Sequence, residues 1–528
     1  MNPARHPVAV VGAGPVGLSL AIDLAQRGIP VLLLDKHAER SAAGSRAICF
    51  AKRTLEVFDR LGCGEAMVAK GVSWQVGRVF FRDEEIYRFD LQPEPGHGRP
   101  AFINLQQYHV EAFLLARAQA LPSIELRWQH EVVGVDARDD GVCIDLETPR
   151  GREQVQADYL CACDGSRSAV RALIGQESRG RVFRDRFLIA DVRMKLAQPA
   201  ERWFWFDPPF HRNGSVLLHM QPDGVWRIDF QLGWDADPEV EKRPENILPR
   251  IRALLGEARE FELVWASVYT FACQRMDRFR HGRVLFAGDA AHGVSPFGAR
   301  GANSGVQDAE NLAWKLAAVV QGQASEALLD SYASEREAAA DENILHSTRS
   351  TDFITPKSEA SRLYRDAVLQ LAKTHPFART LVNSGRLSLP ATLDGSPLNT
   401  QEEGAFAGPM RPGAPCCDAP VERDGVRGWL LRQLRGGFTL LLAHDGGARR
   451  IAQQARAAAA ELSDIEVLTV GTEADATLRD IDGLVARRYA LAPGAAVLIR
   501  PDHHVCARWR EPTPAGVRDA LARALARA

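Results

Sequence analysis

The chain has 528 residues, with 65 Lys and Arg against 67 Asp and Glu for a net charge of −2, and 46% of it is hydrophobic. That length suits two or three domains with cores of their own, and the balanced charge excludes nucleic-acid or anionic-membrane binding driven by bulk charge. No run approaches the roughly eighteen apolar residues of a membrane span, and the first residues lack the apolar segment of a secretory signal.

In chain order, residues 8–11 form a short apolar run suited to a buried parallel strand. Gly12, Gly14 and Gly17 follow with GxGxxG spacing. The spacing predicts a tight turn at Gly12, room for a pyrophosphate at Gly14 and close helix–strand packing at Gly17. The helix that begins here, through Pro15 and Val16, aims its N-terminal N–H groups at the phosphates. Gly28-Ile29-Pro30 stops it, and 31–34 form a second strand. Asp35, next to Lys36, then stands where an acid accepts hydrogen bonds from a ribose.

Helices are expected over 51–61 and 107–120. Residues 159–163 read as a strand leading into Asp164-Gly165-Ser166. The stretch 179–274 is strand-rich, with 215–219 and 225–231 flanking the turn Pro222-Asp223-Gly224. Trp203, Phe204, Trp205 and Phe206 form an aromatic patch expected in a core or domain interface. Residues 284–287 are a further buried-strand run, ending in Gly288-Asp289. The carboxylate lies at the strand edge where open α/β sheets bind ligands. After Pro296, Gly298-Ala299-Arg300-Gly301-Ala302-Asn303 opens a long helix through Leu316, whose N-terminus would favour negative charge.

Helices are expected at 325–346 and 357–373, on the outside of the domain or in a dimer contact. The Gly- and Pro-rich stretch 395–415 reads as a linker. Strands at 438–443 and 465–470 with a helix at 448–462 make a smaller α/β unit beyond it. None of the nine cysteines forms CxxC, so free thiols in a reducing cytoplasm are expected. No His, Cys or carboxylate cluster has metal-site spacing, and no metal is expected.

GxGxxG at 12–17, DGxxSxxR at 164–171 and GDAAH at 288–292, in this order, resemble the single-component FAD monooxygenases that hydroxylate phenols. This is the para-hydroxybenzoate hydroxylase-fold family, and the C-terminal unit resembles its longer 3-(3-hydroxyphenyl)propionate hydroxylase-like and phenol hydroxylase-like members. The resemblance covers essentially the whole chain. It implies an α/β fold with a Rossmann-like FAD-binding domain (1–178 and 275–345) and an inserted β-sheet substrate domain (179–274). A helical segment and linker (346–399) and a thioredoxin-like C-terminal domain (400–528) without CxxC complete it. It also implies FAD held without a covalent link and NADH or NADPH as co-substrate. O₂ would be activated through a C4a-hydroperoxyflavin to attack a small aromatic substrate, and a homodimer is a further expectation.

The resemblance also suggests roles for single residues. Arg46 would lie over the FAD near its phosphates. Gln107 would contact the ribityl chain, with the adjacent Gln106 leaving the register open by one. Asp289 would accept from ribityl hydroxyls. Pro296, Arg300, Gly301, Ala302 and Asn303 would surround the flavin ring. Arg300 would either raise the flavin potential by its charge or point to solvent. One departure is clear: phenol hydroxylases carry an aspartate where this chain has Ile48, so the group that activates the substrate is left open. A polyketide-like or N-heteroaromatic substrate and a non-catalytic flavin-binding protein stand as alternatives. A halogenase lacks support without a WxWxIP element, and a disulfide reductase without CxxxxC.

Overall fold

The computed structural model describes residues 5–527 apart from 41–46, 258, 383–386, 388, 405 and 446. β1 (Arg5–Val11) lies between β2 (Val31–Leu34) and the strand Gly151–Ala162, parallel to both, with Val10 opposite Leu33 and Cys161. Ile124–Arg127 flanks β2 and Val284–Phe286 flanks Gly151–Ala162, again in parallel. This is the Rossmann-like sheet, with the strand carboxyl ends gathered on one edge. β2 is Val-Leu-Leu-Leu and wholly buried. A central parallel strand has no wet face, and each buried leucine contributes about 1.5–3 kcal/mol. α1 (Pro15–Gln26) covers this sheet and packs against the helix Gly301–Val320, both in the same core.

The middle sheet has the order Glu262–Tyr269, Arg186–Arg193, Val225–Leu232, Ser215–Met220, Arg202–Phe206, Val76–Phe81, Glu84–Asp90. It therefore takes strands from 76–90 as well as from the 179–274 stretch. Val76–Phe81 runs parallel to Arg202–Phe206, so only the tertiary fold brings them together. The aromatic patch divides by strand alternation. Trp203 and Trp205 pack on Phe80 on one face, while Phe204 and Phe206 join Phe297 and Phe353 on the other.

The helix expected at 325–346 runs on as Ala327–Ile354, followed by Glu359–Ala372 and Pro376–Val382. Part of the stretch read as a linker is pinned to the strand Val505–Trp509: Thr400 N–H donates to Cys506 O at 2.8 Å and Gly413 N–H to Val505 O at 2.7 Å. Backbone groups packed against a sheet need partners, and these find them on its edge. The C-terminal sheet is thioredoxin-like. Phe438–Ala443 is parallel to Ile465–Gly471 and antiparallel to Ala496–Ile499, with the helices Ala448–Ala459 and Pro514–Ala524 in its core.

A buried ion network fastens this unit to the rest. Arg500 Nη1 donates to Glu335 Oε1 at 2.6 Å and Nε to Asp502 Oδ1 at 3.0 Å, and Lys315 Nζ donates to Glu335 Oε2 at 2.6 Å. Burial alone would raise the Glu335 carboxyl, but Arg500 and Lys315 hold it well below the usual range. Among the described residues, no helix is long and apolar enough to cross a membrane.

Candidate active site

The turn after β1 is built on glycines that do different work. Gly12 has φ +104°, and a Cβ there would collide with the Cys163 carbonyl. A Cβ on Gly17 would run into the Gly12 carbonyl oxygen, so α1 is pressed onto its own turn. A Cβ on Gly14 would meet nothing within 4 Å. The space above Gly14 is open to a ligand, and the first turn of α1 has no side-chain cap to compete for its N–H groups. Pro15 occupies the first turn, and Val16 lies 2.9 Å from where a Gly288 Cβ would be, locking the two motif turns together. Asp35 braces the same loop: Oδ2 accepts from Ala13 N–H at 2.7 Å and Oδ1 from His37 N–H at 2.9 Å. Its side chain remains 12% exposed, and Lys36 is exposed. Arg46 lies outside the described residues.

At the next strand edge, Gly288–Ala290 is a single 3₁₀ turn that leaves Asp289 exposed. Its geometry is set by Asp308, a residue for which the motifs assigned no role. Asp308 Oδ2 accepts from Gly288 N–H at 2.9 Å and lies 2.7 Å from His292 Nε2, while Oδ1 accepts from Arg336 Nε at 2.7 Å. Burial opposes the Asp308 carboxylate, but His292 and Arg336 outweigh it and hold its pKa at about 2. The sequence signal was weak, because Asp308 stands between Gln307 and Ala309 in a helix that also carries Glu310 and Lys315.

Two of the buried groups that lack partners among the described residues lie at or beside predicted cofactor positions. Asp164 Oδ2 accepts from Val170 N–H at 3.2 Å, but Oδ1 is buried with no hydrogen-bond partner among the described residues. Gln107 is committed, donating to Glu111 Oε1 at 2.8 Å and accepting from Ala47 N–H at 3.1 Å. The neighbouring Gln106 is 1% exposed, and neither of its side-chain amide atoms has a partner among the described residues. The unsatisfied amide is thus one residue earlier than the Gln107 assignment. A buried amide without partners is costly, and a bound molecule would relieve it.

The loop before Gly301–Val320 holds Pro296 at the surface and Phe297 in the interior, with Gly301 and Ala302 partly exposed. Of the two placements left open for Arg300, the solvent-facing one is wrong. Arg300 is 3% exposed, and Nη1 donates to Asn343 Oδ1 at 2.9 Å on the helix Ala327–Ile354. Asn303 spends its side chain as a staple: Nδ2 donates to Cys49 O at 2.9 Å, and Oδ1 accepts from Ala51 N–H at 2.9 Å. Only its main chain is left for a ligand. The cradle at Gly14, the exposed Asp289 and the unsatisfied Asp164 and Gln106 fit a dinucleotide with a polyhydroxylated arm.

The comparisons with known proteins agree. Residues 5–347 match the FAD binding domain family, and residues 410–528 match the aromatic-ring hydroxylase C-terminal family. A 6-methylpretetramide 4-monooxygenase of Streptomyces rimosus is 34% identical over 526 residues, spanning 95% of this chain and 90% of that protein. A 3-(3-hydroxy-phenyl)propionate/3-hydroxycinnamic acid hydroxylase of Mycolicibacterium smegmatis is 30% identical over 424 residues, 78% of this chain and 72% of that one. Among solved structures, aklavinone-11 hydroxylase in ternary complex with FAD and aklavinone superposes with TM-score 0.81 at 26% identity, covering 100% of both chains. The flavin-dependent monooxygenase PieE, at 24% identity and TM-score 0.83 over 99% of both chains, shares the fold. The open glycine cradle thus sits in a chain that belongs, over nearly its whole length, to the FAD-dependent aromatic-ring monooxygenases.

Proposed function

We propose that this protein hydroxylates a phenolic or similarly electron-rich aromatic ring, using O₂ and NADH or NADPH with FAD as cofactor. The observation that carries the reading is the inner face of the middle sheet. Phe187, Phe204 and Leu217 cluster there with Phe271 and with Phe297, whose loop opens the helix Gly301–Val320. An apolar aromatic wall beside a flavin site suits a flat ring and excludes water from it.

When bound, FAD supplies hydride acceptance and oxygen activation. The chain's part is to hold and shield. Gly14 and the first turn of α1 would take the pyrophosphate, and Asp35 the ribose. Asp164, Asp289 and Gln106 or Gln107 would take the ribityl arm. The first-turn N–H groups at Gly301 and Ala302 would face the ring and favour negative charge on it.

A polycyclic, polyketide-like substrate is the second reading. What favours it is coverage: the 6-methylpretetramide 4-monooxygenase matches 95% of this chain, against 78% for the phenylpropionate hydroxylase. Nine cysteines, all free, support a reducing cytoplasmic setting. Exposed Leu363, Tyr364, Leu371, Phe377 and Leu381, on the helices Glu359–Ala372 and Pro376–Val382, support a homodimer.

The test is steady-state oxidation of each nicotinamide with phenol, 3-(3-hydroxyphenyl)propionate and a hydroxylated tetracyclic aromatic, with product analysis. Oxidation should be slow alone and accelerated by the right aromatic, with one oxygen found on the ring. Oxidation that no aromatic accelerates would favour a flavin-binding protein without hydroxylase activity.

A further inference from the structure

Strand register puts an unusual set of charges on the inner face of the middle sheet. Arg202, His219, Arg227 and Asp191 stand in one row across adjacent strands, and Phe204, Leu217, Asp229 and Ile189 stand in the next row on the same face. Arg227 and Asp191 satisfy each other, with Nε and Nη2 each 2.8 Å from a carboxylate oxygen. Asp229, two residues along, is left out of that pair. It is half-buried, its Oδ1 is enclosed, and that oxygen has no hydrogen-bond partner among the described residues. Its row neighbours Phe204 and Leu217 belong to the aromatic cluster with Phe297. Arg202 is 7% exposed and lies within electrostatic reach of both Asp229 and Cys49. Cys49 follows Ile48 in the chain, so Asp229 lies within electrostatic reach of the segment in which Ile48 stands where phenol hydroxylases carry an aspartate.

We propose that Asp229 accepts the proton of the substrate's phenolic hydroxyl, with Arg202 stabilising the oxyanion that results. This rests on the hydroxylase reading above. The O–H bond breaks, the proton moves to an Asp229 carboxylate oxygen, and the electron pair stays on the ring oxygen. That charge spreads to the ortho and para carbons, which take one oxygen atom derived from O₂ while the other leaves as water. The hydrogen on the attacked carbon leaves as a proton as the ring regains aromaticity, and NAD(P)H has supplied the two electrons.

The neighbouring charges suit the role. Burial pushes the Asp229 carboxyl up to about 6; Arg227 and Arg202 pull it down and Asp191 pushes it up. Burial keeps the Cys49 thiol protonated, with a pKa of about 12, and holds His219 well below its ordinary value, so neither competes as a charge. Asp229 is charged above about pH 6 and loses its ability to accept a proton below it.

The experiment compares FAD-loaded wild type, Asp229→Asn and Asp229→Glu, using the panel aromatic that the wild type hydroxylates. In Asp229→Asn we expect product formation to fall by about 10²-fold or more at a KM within about threefold of wild type. Its acid limb near pH 6 should vanish, the difference spectrum of the bound phenol should lose its phenolate band, and O₂ should go to hydrogen peroxide. Asp229→Glu should restore part of the rate and the acid limb. Product yield, acid limb and phenolate band all kept in Asp229→Asn would overturn the proposal. If Asp229→Asn does not fold, the wild-type profile and Asp229→Glu carry the test: a wild type with no acid limb between about pH 5 and 7 overturns it. A wild type that hydroxylates nothing overturns the functional reading itself, before any variant is made.

Discussion

Asp308 Oδ2 accepts the backbone N–H of Gly288 at 2.9 Å, so the turn that presents Asp289 is held from the helix Gly301–Val320. The two motif segments are therefore one mechanical unit. Asp308→Ala would leave the buried Arg336 without its charge partner, 2.7 Å away. We expect a loss of about 3–5 kcal/mol in thermal unfolding, together with weaker FAD retention. Asp289→Ala should weaken FAD retention at a smaller cost to apoprotein melting than Asp308→Ala, because Asp289 is exposed and Asp308 is buried. Equal melting losses in both variants would contradict this division.

Gly14 and Gly17 should fail in opposite ways. Gly14→Ala places a methyl in open space, so the apoprotein should keep its stability and lose FAD affinity. Gly17→Ala drives a methyl into the Gly12 carbonyl, so the turn must move and the apoprotein itself should melt lower. Apoprotein melting temperature and FAD titration, measured side by side, separate the two.

Arg300→Gln should reduce stability, because a buried guanidinium hydrogen bond to Asn343 is lost. A hydrogen bond to a charged group is worth about 1.5–3 kcal/mol, which thermal unfolding would register. The flavin potential of the same variant reports the guanidinium's field at the ring. A drop at full FAD content supports an electrostatic role, and an unchanged potential limits Arg300 to holding the helix Ala327–Ile354.

Glu56 gives a pH-dependent stability. It is 7% exposed, and burial raises its carboxyl to about 7, with Arg53 and Lys52 pulling the other way. The folded state therefore binds a proton more readily than the unfolded state between the ordinary value of 4.5 and about 7. Stability from this group is present below 4.5 and is lost as pH rises through about 7. Glu56→Gln should remove that slope, a difference of about 1–3 kcal/mol across the window in denaturant unfolding.

The Gln106 and Gln107 pair shows where sequence reasoning stops. The helix start was legible, because its residues lie together in the chain and the structure begins the helix at Gln107. Which amide stays unsatisfied depended on Glu111 and Ala47 claiming Gln107, and a side-chain choice of that kind is made in three dimensions. The same limit applies to the middle sheet. The hairpin around Pro222-Asp223-Gly224 is local, but the pairing of Val76–Phe81 with Arg202–Phe206 joins segments far apart in the chain.

What the sequence determined by itself was the set of short-range devices. β1 with its glycine turn, the acid after β2, and the Gly288-Asp289 turn each arise from neighbouring residues whose backbone demands are local. From these the family and its cofactor followed. The tertiary structure alone decided which charges are spent and which remain. Asp308 is taken up by Gly288 and Arg336, Asp191 by Arg227, and Arg300 by Asn343, while Asp229 is left half-buried with an oxygen unsatisfied among the described residues. The reason is physical: a buried charge is worth what its partners make it, and those partners come from strands and helices that meet only when the chain has folded.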